Sequence, residues 1–270
     1  MEAKAGFASQ LKWWRDHRGM SQLALAGAAE ISQRHLSFLE RRRNAPSREM
    51  VRRLAVALDL PLRQQNVLLR AAGYAPIWQE SALDAPALAA VGRALDFILA
   101  QQEPYPAFVV DRRWNLLRLN QGGKRLVEFL TGASILAPKP AQPINLADAL
   151  VAPDALRPLI ENWHDVALYF IRGVQADALA DGTEETASLL RRLTAYPGVP
   201  RLSHMHPVGA APEPVLSIHF AKGATSLKLF TTIATLGTPQ DVTAQEIRIE
   251  CFFPADAGTA KHFKAWSSAG

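Results

Sequence analysis

Cysteine is almost missing from this chain of 270 residues, which holds one, Cys251. A lone thiol closes no internal disulfide, so a reducing, cytoplasmic setting is the simplest expectation. Nowhere do eighteen apolar residues run together, which argues against a membrane-spanning helix. Met1 to Gln10 also lack the basic-then-apolar order of a secretory leader. Phosphate loops are absent too: "GASIL" and "NQGGKRL" do not continue into the G-x-x-x-x-G-K-[ST] pattern. "SHMHP" sets His204 and His206 at strand spacing, but without nearby carboxylate or cysteine ligands, so no metal is expected. We find no nucleophile–base–orienter set, assign no catalytic residue and expect no required cofactor.

What the chain does hold is enough apolar material, 49% of its residues, to bury a real core as one large domain or two smaller ones. Its net charge of +5 is unevenly spread. Residues 1–79 carry thirteen Lys/Arg against six Asp/Glu, and residues 80–270 carry seventeen against nineteen. The positive charge belongs to the first third, as expected when one domain meets a polyanion and the other does not. A solvated basic face would give the same count, so charge alone does not decide.

Helical punctuation is dense in that first third. Phe7, Leu11 and Trp14 share a stripe closed by Gly19, and Ser21 opens a second helix with Leu25 and Ala28 on one face. Ser32 is placed to N-cap a third, with Leu36 and Leu39 inward and Ile31 as a staple. Pro46–Ser47 and Pro61 open two more. The outward face of the third helix then offers Gln33, Arg34, Ser37 and Phe38. Glutamine and arginine have the forked geometry that matches adenine and guanine edges in the major groove. Arg41, Arg42 and Arg43 follow at once, where phosphates flank a helix lying in that groove.

"MSQLALAGAAEISQRHLSFLERRRNAPSREMVRRLAVALDL" resembles the helix-turn-helix of XRE-family (Cro/repressor-type) regulators, over roughly residues 8–72. The resemblance implies a five-helix, lambda-repressor-like domain over residues 1–80 that binds double-stranded operator DNA. It implies Gln22 and Arg43 on phosphates, Gln33, Arg34 and Ser37 toward bases, and Phe38 on a thymine methyl. Ser32, His35, Arg41 and Arg42 complete the expected interface. Arg15 and Glu40 match a pair that forms a structural salt bridge in such domains. One departure is Glu30 at the turn, where the family often has glycine.

"GYAPIWQESALDAPAL" reads as a junction near residues 73–85, followed by a helix with Leu88, Val91, Leu95, Ile98 and Leu99. Then the period shortens. "AFVVD" and "NLLRLN" are strand-like runs joined by Arg112–Arg113, and residues 120–131 and 154–195 read as helices around a Pro-rich stretch. "VLSIHFA", "LKLFTTIATLG" and "EIRIECFFP" return to strands. In the last, Ile247, Ile249, Cys251 and Phe253 alternate with Glu246, Arg248, Glu250 and Phe252, and the apolar set reads as the inward face. The expected class is α+β: a helical domain, then a five-stranded antiparallel sheet with helices on one face, in PAS-like order.

"RRWNLLRLNQGGKRL", "NWHDVALYFIRGV" and "TTIATLGTPQDVTAQEIRIECFFPAD" resemble the MmyB-like ligand-binding domain, a PAS-like module found behind XRE-type helix-turn-helix domains. The resemblance implies a domain over residues 81–270 with a cavity between sheet and helices, and a long-chain fatty acid as one occupant of such cavities. From the faces, Trp163, Ala167, Phe170 and Val174 are expected along one stripe of the long helix. Trp114, Ile249 and Cys251 are expected on the sheet side, walls suited to a small apolar ligand. Arg172 is the carboxylate partner by chemistry, yet nine positions from Trp163 put it on the opposite helix face. The expected protein is a homodimeric, ligand-responsive regulator with no membrane partner. Two other readings stay open: a DNA-tethered enzyme using His204, His206 and His219, and a large domain that only dimerises.

Overall fold

In the computed structural model of the chain, residues 6–132, 144–199 and 215–268 are described. They fall into two compact units. The first holds residues 1–81 with two short later segments, 181–184 and 238–245. The second holds 82–180, 185–237 and 246–270.

The first unit carries α1 (Phe7–His17), α2 (Gln22–Ala28), α3 (Gln33–Glu40), α4 (Arg48–Ala57) and α5 (Leu62–Ala71). Serines start three of them: the hydroxyls of Ser21, Ser32 and Ser47 accept from the N–H groups of Ala24, His35 and Met50. Those donors have no partner inside the helix, so a capping oxygen fixes where each begins. All five helices end alike, in a residue at positive φ followed by a bond reaching back five residues: Met20 to Arg15, Ile31 to Ala26, Arg43 to Phe38, Leu60 to Ala55 and Tyr74 to Leu69. The left-handed residue is glycine at positions 19 and 73 but Glu30 (φ 52°), Arg42 (φ 59°) and Asp59 (φ 49°) elsewhere.

Inside, Leu11, Leu25, Leu36, Leu39, Val51, Leu54 and Leu68 are fully buried, with Trp14 and Phe7 beside them. In α2 the inward set is Leu25, Ala26 and Ala29, while Ala28 is exposed. The expected pairing of Leu25 with Ala28 is therefore corrected to a spacing of four. The segment 181–184 contributes Gly182 at φ +59°, where a Cβ would stand 2.8 Å from Trp14 and 2.9 Å from Trp13. Only a glycine fits so close to the two indoles.

The second unit is a sheet of β1 (Ala107–Val110), β2 (Leu116–Leu119), β3 (Ser217–Lys222), β4 (Thr225–Ala234) and β5 (Arg248–Pro254), in the order β2-β1-β5-β4-β3. Every neighbouring pair is antiparallel. Its helices are α6 (Ala89–Gln101), α7 (Gln121–Thr131), α8 (Leu146–Val151), α9 (Trp163–Asp181), α10 (Glu184–Ala195) and α12 (Ala257–Ser268), while the short α11 (Val242–Glu246) lies almost wholly in the 238–245 segment of the first unit. The long stretch expected as helix from 154 to 195 is thus divided, with Asp181 accepting from the N–H of Thr183 at the break.

Helices cover both faces of the sheet, not one as expected. Leu95 and Leu99 of α6 pack on Ala107, Val109, Ile247 and Ile249, with Cys251 half-buried beside them. The larger cluster lies on the opposite side, where Phe108, Val110, Leu227, Leu229 and Phe252 meet Val166, Ala167, Ile171 and Val174 of α9. Period-two alternation puts neighbours on β5 on opposite faces, so Phe252 in one cluster and Ile249 in the other follow directly.

The turn ending α2 gives a prediction. Glu30 sits in a conformation that costs an L-residue about 1 kcal/mol and glycine nothing. Its carboxylate meets Arg53 only at the exposed surface, and Arg53 also holds the Glu30 carbonyl, which the substitution keeps. Glu30→Gly is expected to raise the stability of the first unit by ~0.5–1 kcal/mol in urea denaturation. A lower midpoint would refute the strain.

Candidate functional site

Helix α3 owes its aim to three fixings: Leu36 and Leu39 are fully buried, Ser32 caps its start, and Arg42 closes its end. What remains outward is Gln33 and Arg34, exposed, then Ser37 and Phe38, half-buried. The four lie on one side of the helix. The Arg34 guanidinium stands 5.3 Å from the Phe38 ring centre and that of Arg43 5.9 Å, so the ring carries two cations over its face. Arg41, Arg42 and Arg43 are exposed, and Arg42 also donates to Ser9 Oγ at 2.9 Å. His35 is half-buried, and the Ser32 hydroxyl serves the cap.

Below this surface lies an ion pair. Arg15 Nε donates to Glu40 Oε1 at 2.6 Å and Nη2 to Oε2 at 3.2 Å, with the side chains 10% and 4% exposed. Gln22 Nε2 adds a bond to the second carboxylate oxygen at 2.7 Å. The hydrogen bond to Glu40 raises the Arg15 pKa above its ordinary value despite burial. One amide hydrogen of Gln22 is thus committed to Glu40, and the other is left for the expected phosphate. The family resemblance implies the ion pair but neither this third member nor the arginines over Phe38.

In the second unit the expected ligand residues divide. Trp163, Ala167 and Val174 are buried and Phe170 half-buried, all on the α9 side that meets the sheet. The Trp163 indole already donates to the Leu150 carbonyl, and Arg157 covers its ring at 3.5 Å. Arg172 is exposed, away from that face. Ile249 and Cys251 do not join the group, because their side chains belong to the α6 side of the sheet. They are corrected from cavity wall to the core beneath α6.

The β5 residues that do face α9 are the ones read as outward: Arg248, Glu250 and Phe252. Arg248 is held by Asp177 of α9 through bonds of 2.6 and 2.7 Å. Its guanidinium lies 5.6 Å from the Trp114 ring centre, and Phe170 meets that ring edge-on at 4.5 Å. Trp114 itself is 5% exposed, and its indole nitrogen has no hydrogen-bond partner among the described residues. Elsewhere in this unit a cleft of about 540 Å³ is lined by Asp96, Leu99, Glu103, Asn120 and Arg125, and none of the expected ligand residues reaches it. His219 bonds Ser217 on β3, whereas His204 and His206 lie outside the described residues.

Comparison with known families matches residues 11–65 to a helix-turn-helix, and residues 91–265 to the MmyB-like transcription regulator ligand binding domain. The second match covers most of the chain. The chain belongs to the MmyB-like transcription regulator family. No curated protein matches it. A solved structure described as an RNA-binding light-oxygen-voltage receptor is similar at 10% identity and a TM-score of 0.28, over 97% of this chain and 63% of that one. The chain thus spans less than two thirds of that relative, and a likeness so slight carries no argument. This MmyB-like regulator thus carries a helix-turn-helix ahead of a ligand-binding domain of that family. Among the described residues no helix is long and apolar enough to cross a membrane, and no three His, Cys, Asp or Glu side chains gather as metal ligands.

Glu250 of the MmyB-like domain lies between the registers of Phe108 and Ile233. Burial pushes its carboxyl up to about 7 against the pull of a hydrogen bond from Thr231, and burial with the nearby Glu250 also raises the Cys251 thiol. Between pH 4.5 and 7 the folded protein therefore binds more protons at this site than the unfolded chain does, so stability falls as pH rises. From pH 5 to 8 the wild type should lose ~2 kcal/mol relative to Glu250→Gln. Parallel pH profiles of the two proteins in urea would count against it.

Proposed function

We propose that the chain is a sequence-specific transcription regulator that reads each half of a partly palindromic operator with the outward face of α3, as a homodimer in the cytoplasm. The observation that carries this is the exposure of Gln33 and Arg34 on a helix whose opposite side is anchored by Leu36, Leu39 and the Glu40 ion pair. A helix held this way presents forked donors to base edges without first having to order itself. Gln22 and Arg41 to Arg43 then contact phosphates, Ser37 a base edge, and Phe38, carried between two guanidiniums, a thymine methyl. Ser32 and His35 border the same groove.

The large domain senses a small apolar compound, a fatty acid or similar acyl molecule, held against the face of α9 by Trp114, Ala167, Phe170 and Val174. The PAS-like strand order β2-β1-β5-β4-β3 supports this reading. Ligand bound in one arrangement of the dimer better than in another would bias operator affinity by that difference. The chain gives such a bias a covalent route, since α9 leads into 181–184 and 238–245 leads through residues 246–247 into β5, both segments belonging to the first unit.

Selection of bound duplexes from a random pool, followed by gel-shift titration, tests the DNA-reading face. Gln33→Ala with Arg34→Ala should erase the enriched sequence and cost on the order of a hundredfold in specific affinity, at ~1–3 kcal/mol per bidentate contact. A weak, salt-sensitive affinity should remain. Retention of the wild-type preference would defeat the assignment.

A further inference from the structure

We propose that the indole N–H of Trp114 is the donor that receives the ligand's oxygen, and that this oxygen is a neutral carbonyl of ester, lactone or ketone type. The inference rests on reading the large domain as a binder of apolar acyl compounds. Its basis is a broken rule: a buried tryptophan N–H normally finds an acceptor, and this one has none among the described residues.

The indole is not loosely placed. Asp111 Oδ1 accepts from the N–H groups of Arg113 and Asn115, at 2.8 and 2.9 Å, and Oδ2 accepts from Asn115 Nδ2. Trp114 donates its own N–H to the Asp111 carbonyl, and its carbonyl accepts from Leu146. These bonds hold it at φ 65°, a region that a bulky side chain rarely enters. The donor is thus pre-set before anything binds. Phe170, edge-on to the ring, is itself only half-buried.

The charges around the ring choose the head group. The nearest cation, Arg248, is already engaged by both oxygens of Asp177. Glu250 faces the same side of the sheet two residues along β5. A carboxylate here would add a second anion to a cation already matched, in a largely buried setting. A carbonyl oxygen accepts the indole hydrogen without that penalty.

Titration calorimetry with dodecanoic acid, its methyl ester and dodecane separates the possibilities. The wild type should bind the ester more tightly than the acid. Trp114→Phe should weaken the ester about tenfold more than it weakens dodecane, the difference being the worth of one good hydrogen bond. The Trp114 indole resonance should move downfield in the wild type as ester is added, and this readout stands even where the variant does not fold. Equal affinity of variant and wild type for the ester, a stationary indole signal, or tighter binding of the acid would each overturn the proposal while leaving the apolar-ligand reading intact. Failure of the wild type to bind any of the three would bring down that reading and the proposal with it.

Discussion

A buried carboxylate organises the helix-turn-helix half of this molecule. Glu40, at the last turn of α3, takes bonds from Arg15 of α1 and Gln22 at the start of α2. Leucines could bury these three helices in several rotations, because hydrophobic contact has no direction. The ion pair has direction, and it ties the helices at one shared point. Taking a carboxylate and a guanidinium out of water is costly, and their gain depends on geometry that the rest of the fold must hold. With that geometry in place, Leu36 and Leu39 point in, and Gln33 and Arg34 have nowhere to point but out.

This half was legible in the sequence because its signals are local. Serine caps, leucine spacing and the arginine run each act within a few residues, and the Arg15–Glu40 pair followed from the family resemblance. Glu30, which stands where the resembled family often has glycine, sits at φ 52°. What escaped reading was contact between distant side chains: the Gln22 amide on Glu40, and the arginines over Phe38. No spacing rule encodes which of several exposed polar groups will meet.

In the large domain, alternation on β5 was correct and its sidedness was reversed. The sequence reading took Ile249 and Cys251 as the inward face because the other face carried Glu246, Arg248 and Glu250. Helices cover both sides of the sheet, so the apolar face meets α6 and the charged one meets α9. Burying Arg248 and Glu250 is tolerable because Asp177 engages the first and the second gives up part of its charge. This face therefore carries an ion pair, a carboxyl of raised pKa and an indole donor with no partner among the described residues. A composition-based rule that assigns charge to solvent cannot see such a face.

Whether the Glu40 clamp holds α3 in place is read by amide hydrogen exchange of Glu40→Ala against the wild type. Removing the carboxylate leaves Arg15 without its main partner, which costs about 3 kcal/mol for a buried pair. Protection of the amides of α1, α2 and α3 should fall about a hundredfold. Unchanged protection across α3 would show that packing alone sets its orientation, and would contradict a clamping role for Glu40.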